Sequence, residues 1–100
     1  MKIVWSPTAL KRAAKISDYI AVDNVSEAKK WLNLLFSSVK RLKKYPQSGR
    51  ITPEINNENI REIVLGNYRV IYEISKGAIH ILTVRNYKQL IDFDELNKNG

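Results

Sequence analysis

The sequence has 100 residues, 44% of them hydrophobic and 27% charged, with four Gly and three Pro. That is the composition of one ordinary folded domain: too short for two cores, too apolar for disorder, and long enough to bury roughly two-thirds of its unfolded surface. Without cysteine and with a single histidine, His80, it can have no disulfide framework, no thiolate nucleophile and no Cys/His zinc site. The net charge is +7 and unevenly spread: residues 1–50 hold eleven Lys and Arg against three acids (+8), residues 51–100 six against seven (−1). An excess of this size suits attraction to nucleic acid or to an acidic protein, or simply a solvated Lys-rich face.

In chain order, Lys2-Ile3-Val4-Trp5 is short, apolar and β-prone and reads as a strand. Ser6-Pro7 then supplies an N-cap and a proline at the first helical position. Apolar residues at helical spacing (Leu10, Ala13, Ala14, Ile20) carry a helix to about Val22. Asn24-Val25-Ser26-Glu27 has the form of a capping box and opens a second helix. Its stripe is Ala28, Trp31, Leu32, Leu35, Val39 and Leu42, opposite Lys29, Lys30, Lys40, Arg41, Lys43 and Lys44. Tyr45-Pro46 ends it, because a residue before proline avoids the helical region. The two helices form an antiparallel hairpin whose apolar faces need a common partner surface.

Residues 46–59, rich in Pro, Gly and Asn, read as a loop. Three strands follow, Ile60 to Leu65, Tyr68 to Ser75 and Ala78 to Tyr87, joined by the two-residue turns Gly66-Asn67 and Lys76-Gly77. Residues 91–96 suggest a last short helix before a polar tail, 97–100, expected to be disordered. The fold class is therefore α+β. One small sheet combines an N-terminal strand with a three-stranded antiparallel meander, and carries the helices on one face. Residues 1–100 make a single domain.

Two-residue turns pair Leu65 with Tyr68 and Ser75 with Ala78, which sorts side chains by face. One face collects Ile63, Leu65, Tyr68, Val70, Tyr72, Ile74, Ile79 and Ile81, with Arg61 and Arg85 at its rim. It is the face expected to carry the helices. The other mixes Val64, Ile71, Leu82 and Val84 with Glu62, Arg69, Glu73 and His80, and is expected to stay half open. An arginine between Ile71 and Val84 there calls for a reason.

The segments IVWSPTALKRAAKISDYI, LKKYPQSGRITPE, IREIVLGNYRVIYEI and IHILTVRNY, in this order over residues 3–88, resemble toxins of the RelE/ParE superfamily of type II toxin–antitoxin systems. The resemblance implies the same strand–helix–helix–meander fold and one of two activities. RelE-like members are ribosome-dependent endoribonucleases that cut messenger RNA without a metal, through attack of the ribose 2′-OH on its own phosphate. ParE-like members poison DNA gyrase. The first is the leading expectation here, since preorganised cations can stabilise the phosphate charge in a chain without Cys.

By resemblance, Arg69 in YRVIY falls where the nucleases keep a catalytic arginine; the alternative is a salt bridge to Glu62 or Glu73. Arg85 in TVRNY falls near a second basic position, or makes a rim ion pair. Tyr87 stands for a C-terminal tyrosine that stacks on a base or handles a proton, or is simple packing. Arg50 in SGRITPE sits on the site loop, or stabilises a turn, and Glu54 is a base by position or a solvated acid. Departures from the nuclease pattern are the Tyr87-Lys88 pair in place of a terminal His-Tyr and a sparser set of cations. His80, in mid-strand, does not correspond to the missing histidine. No cofactor or metal is expected, and no stretch is long and apolar enough for a membrane span. The absence of a secretory signal makes the cytoplasm the expected address. Expected partners are a cognate antitoxin with the ribosome and mRNA, or gyrase in the alternative; a non-toxic nucleic-acid-binding module of the same fold is the remaining reading.

Overall fold

The computed structural model describes residues 1–91 and Leu96. The elements are β1 (Lys2–Trp5), α1 (Pro7–Asp23), α2 (Val25–Arg41), β2 (Arg50–Ile51), β3 (Ile60–Leu65), β4 (Tyr68–Ser75) and β5 (Ala78–Asn86). They build one five-stranded sheet in the order β1-β5-β4-β3-β2, with β1 parallel to β5 and the other pairs antiparallel. The expected α+β class and element order stand. β2 is an addition, two residues long, inside the segment read as a loop. The last short helix and the tail fall largely outside the described residues.

The helix ends follow from their caps. Ser6 Oγ accepts from the Ala9 N–H at 2.9 Å, and Pro7 occupies the first turn. Asn24 closes one helix and opens the next. Its main-chain N–H donates to the Ile20 carbonyl at 3.0 Å, and its side chain accepts from the Glu27 N–H at 3.1 Å. A single residue thus turns the hairpin, leaving α1 and α2 side by side. The strand turns are equally local. Gly66 (φ 60°) takes the left-handed conformation in the first turn, and Lys76 (φ 53°) with Gly77 (φ 73°) in the second, as two-residue hairpin turns require.

The helices bury Ala9, Ala13, Leu35, Val39 and Leu42 against Val70, Tyr72, Ile79, Ile81 and Val84. All the residues assigned to the helix-side face by alternation lie in or against this cluster. Two others differ from expectation. A bulge shifts the β4–β5 register, so that Tyr72 faces Ile81 while Ile71 faces Thr83, which leaves Leu82 as the extra residue. Beyond it every side chain changes face: Val84 joins the helix-side core opposite Val70, and Arg85 moves to the second face opposite Arg69. The bulge sits where β1 leaves the sheet for α1. There the Ser6 N–H donates to the Ile81 carbonyl at 3.0 Å and Ser6 Oγ donates to the Leu82 carbonyl at 2.9 Å.

The second face is not half open. Ile60, Ile71, Ile91 and Leu96 form a second buried cluster, with Ile55 and Leu82 against it. The loop after β2 and the segment after β5 therefore both lie across this face.

Candidate functional site

The charged residues of the second face come together beside that cluster. Glu62 on β3 is paired across the ladders with Arg50 of β2 and Ile71 of β4. Arg69 lies one step along the same face of β4 from Ile71, and Glu54 approaches from the loop. Arg69 Nη1 donates to Glu54 Oε1 at 2.9 Å and to Glu62 Oε1 at 3.0 Å. Its Nη2 donates to Glu54 Oε2 and to the Gln89 carbonyl. Arg50 donates through Nε (2.9 Å) and Nη2 (2.6 Å) to Glu62 Oε2, and Glu54 Oε2 also accepts from the Ile91 N–H at 3.0 Å.

Two cations and two carboxylates alternate, so the network is neutral. Side-chain exposure runs from 0% at Glu62 and 4% at Arg69 to 20% at Glu54 and 52% at Arg50. Its inner pair is dry and its outer ends are wet. The hydrogen bonds from Arg69 dominate at Glu54 and, against the opposing effect of burial, hold its carboxyl at about 2, below the ordinary 4.5. The same bonds raise the affinity of Arg69 for its proton. Such a set ties together the loop, β3, β4 and the segment after β5. Both terminal nitrogens of Arg69 are committed, and no fork remains to receive a phosphate.

The residues singled out from the sequence are thus brought together only in part. Arg69, Arg50 and Glu54 meet in one network. The guanidinium of Arg69, expected to be free and partly exposed between Ile71 and Val84, is instead buried and paired, because the loop and the segment after β5 cover it. Of the two salt-bridge partners considered for it, Glu62 is used. Arg85 shares its face but lines a separate cavity of about 230 Å³ with Arg12, Lys15 and Tyr68. Tyr87 lies past the end of β5, about half exposed, with its N–H donating to the Asn67 carbonyl at 2.6 Å. It has no part in the Arg69 network. His80 is opposite Glu73 and Val4 at the far end of the sheet.

One residue of the site was not singled out. Tyr72, buried in the helix-side core, donates its hydroxyl to the Pro46 carbonyl at 2.7 Å and accepts from the Gly49 N–H at 3.0 Å. Burial raises the pKa of that hydroxyl. A Cβ on Gly49 would lie 2.5 Å from the Tyr72 hydroxyl and 2.7 Å from the Glu62 carbonyl, so only glycine fits. The Pro46-Gln47-Ser48-Gly49-Arg50 run is therefore a turn clamped on Tyr72 that delivers Arg50 to Glu62. Its turn signature was legible; its partner, some twenty residues on, was not.

Residues 3–91 match the family described as the ParE toxin of the type II toxin–antitoxin system, parDE. The chain belongs to the ParE toxin family. It is accordingly the toxin component of a type II toxin–antitoxin system. Among solved structures, this ParE-family toxin is similar to a chain described as the chromosomal ParDE TA system from P. aeruginosa. The TM-score is 0.73 at 20% identity, over 88% of this chain and 97% of that one. At that identity the likeness speaks for the fold alone. No curated protein matches the sequence. Among the described residues of this ParE toxin, no helix is long and apolar enough to cross a membrane.

Proposed function

We propose that this toxin arrests growth by poisoning DNA gyrase rather than by cutting message, and that a cognate acidic antitoxin neutralises it. The observation that carries this reading is the state of Arg69. Stabilising a phosphate during 2′-OH attack needs donors aimed, roughly 3 Å away, at the oxygen where charge develops. Arg69 instead aims its Nη donors at Glu54, Glu62 and the Gln89 carbonyl, with 4% of its side chain exposed. Freeing it would leave the buried Glu62 without its inner partner, at a cost of about 3–5 kcal/mol. Arg50 is bound to the same Glu62, and Tyr87 stands outside the network. Of the residues that resemble a nuclease site, Arg69, Arg50 and Glu54 thus serve as a structural clamp. Membership in the ParE family adds to the gyrase reading.

The test is induced expression with pulse labelling of DNA and protein synthesis, alongside purified gyrase on supercoiled plasmid. The expected result is an early stop in replication, cleaved gyrase–DNA complexes, and no cleavage of ribosome-associated message by primer extension. Message cleavage with replication running on would overturn the proposal in favour of the ribosome-dependent nuclease. Continued growth on induction would leave a non-toxic module of this fold.

A further inference from the structure

The C-terminal end of α2 runs into Lys40-Arg41-Leu42-Lys43-Lys44. Leu42 is 1% exposed and pins the turn to the core, while the four cations around it are exposed. The amino-terminal ammonium donates to the Lys43 carbonyl at 3.2 Å, which brings the exposed Met1 against the same turn. Five positive groups, Lys40, Arg41, Lys43, Lys44 and the amino terminus, therefore share one end of the molecule. None of them is ion-paired among the described residues.

The helix dipole accounts for cations in the last helical turn, here Lys40 and Arg41. It does not account for Lys43 and Lys44 beyond the helix. Lys40 and Lys43 line a hollow on the β1 side with Ile3 and Trp5, whereas Arg41 lines one on the β2–β3 side with Arg50 and Ile63. β1 and β2 are opposite edges of a five-stranded sheet, about 20 Å apart at ~4.8 Å per strand. The cations thus project to both sides of the helix end, toward the β1 edge and toward the β2–β3 edge.

Protein interfaces centre on buried apolar anchors and are poor in Lys. The run itself offers flexible cations around an already buried leucine, with the part-exposed Met1, Phe36 and Tyr45 beside it, and fits a partner recognised by regularly spaced negative charge. Single strands would also call for free aromatic faces on which bases stack. Of the exposed aromatics beside the run, Tyr45 has the Lys44 ammonium over its ring at 5.7 Å, and Phe36 packs on Trp5 with centroids 5.2 Å apart. We propose that the end of α2 is a phosphate-contacting surface for double-stranded DNA, which it grips by the backbone without reading sequence. This surface does not use the Arg69 network, and the proposal holds whether the toxin poisons gyrase or cuts message.

The experiment is fluorescence anisotropy of a labelled duplex of arbitrary sequence, about two helical turns long, titrated with isolated toxin between 50 and 200 mM salt. With about four or five phosphate contacts, log K should fall against log salt with a slope near −4. Lys43→Gln with Lys44→Gln should flatten that slope by about 1.8, two contacts' worth, at an unchanged melting temperature. Lys29→Gln with Lys30→Gln, at the other end of α2, should leave the slope as it was. Lack of duplex binding at 50 mM salt overturns the proposal. So does an equal effect of the two double variants, or tighter binding of single-stranded RNA of the same length.

Discussion

Arg69, placed one step along β4 from Ile71, shows how far a single side chain depends on what covers it. From alternation alone it is a half-exposed cation whose loss should barely disturb the fold. Buried against a fully enclosed Glu62, it becomes structural. Arg69→Ala should cost about 3–5 kcal/mol, because it leaves that carboxylate without its inner partner. Arg69→Met combined with Glu62→Gln should recover a good part of the loss. Urea unfolding of the three proteins measures both effects, and a near-neutral Arg69→Ala would mean that the network is open in solution. Glu54 gives the same network a pH dependence. Its folded-state pKa, about 2 against an ordinary 4.5, is lowered, so its contribution is present above 4.5 and fades as pH falls toward 2. The gap in melting temperature between parent and Glu54→Gln should therefore be widest near neutrality and close through that window. Gly49→Ala, forcing a Cβ onto Tyr72 and the Glu62 carbonyl, should destabilise by about 1–3 kcal/mol in the same assay.

At the scale of elements, α2 is held to the sheet by a stripe in which Leu35 and Val39 are buried and Trp31 is only half buried. The Trp31 ring meets Tyr68 edge-on, with centroids 5.5 Å apart, and its indole N–H is buried without an acceptor among the described residues. The two features pull in opposite directions on stability. Trp31→Ala should cost about 3 kcal/mol through lost packing. Trp31→Phe keeps a ring against Tyr68 and removes the unsatisfied donor, so it should cost less than about 1 kcal/mol. Thermal unfolding distinguishes them, and equal losses would show that the indole N–H has a partner after all. The β5 bulge is the other decision at this scale. One extra residue, Leu82, places Val84 inside and Arg85 outside, the reverse of strict alternation.

Over the whole molecule, the +8 of residues 1–50 is concentrated on and around the helical hairpin, while the second half of the chain is nearly neutral. A dipolar surface of this kind steers an acidic partner before contact. Association with the antitoxin should slow by about tenfold or more between 50 and 500 mM salt, with a much smaller change in dissociation. Stopped-flow mixing at several salt concentrations measures this. An association rate indifferent to salt would remove steering from the role of the Lys-rich helix.

Local rules were enough for the order of every element but β2, the caps at Ser6 and Asn24, the two strand turns and the helix-side core apart from Val84. Each rests on neighbours within a few residues or on a period that repeats along the chain. The bulge escaped the sequence because it arises where β1 departs and Ser6 takes the carbonyls of Ile81 and Leu82, more than seventy residues away. The candidate site was legible as a set of residue types, since Arg50, Glu54, Glu62 and Arg69 all stood out. Their state was not. Whether Arg69 faces water or a pair of carboxylates depends on the loop after β2 and the segment after β5 folding over the second face, and no periodicity within β4 records what packs on top of it. Arg69 is buried and paired with carboxylates, and only the tertiary structure shows that, because desolvation is a property of neighbours distant in sequence.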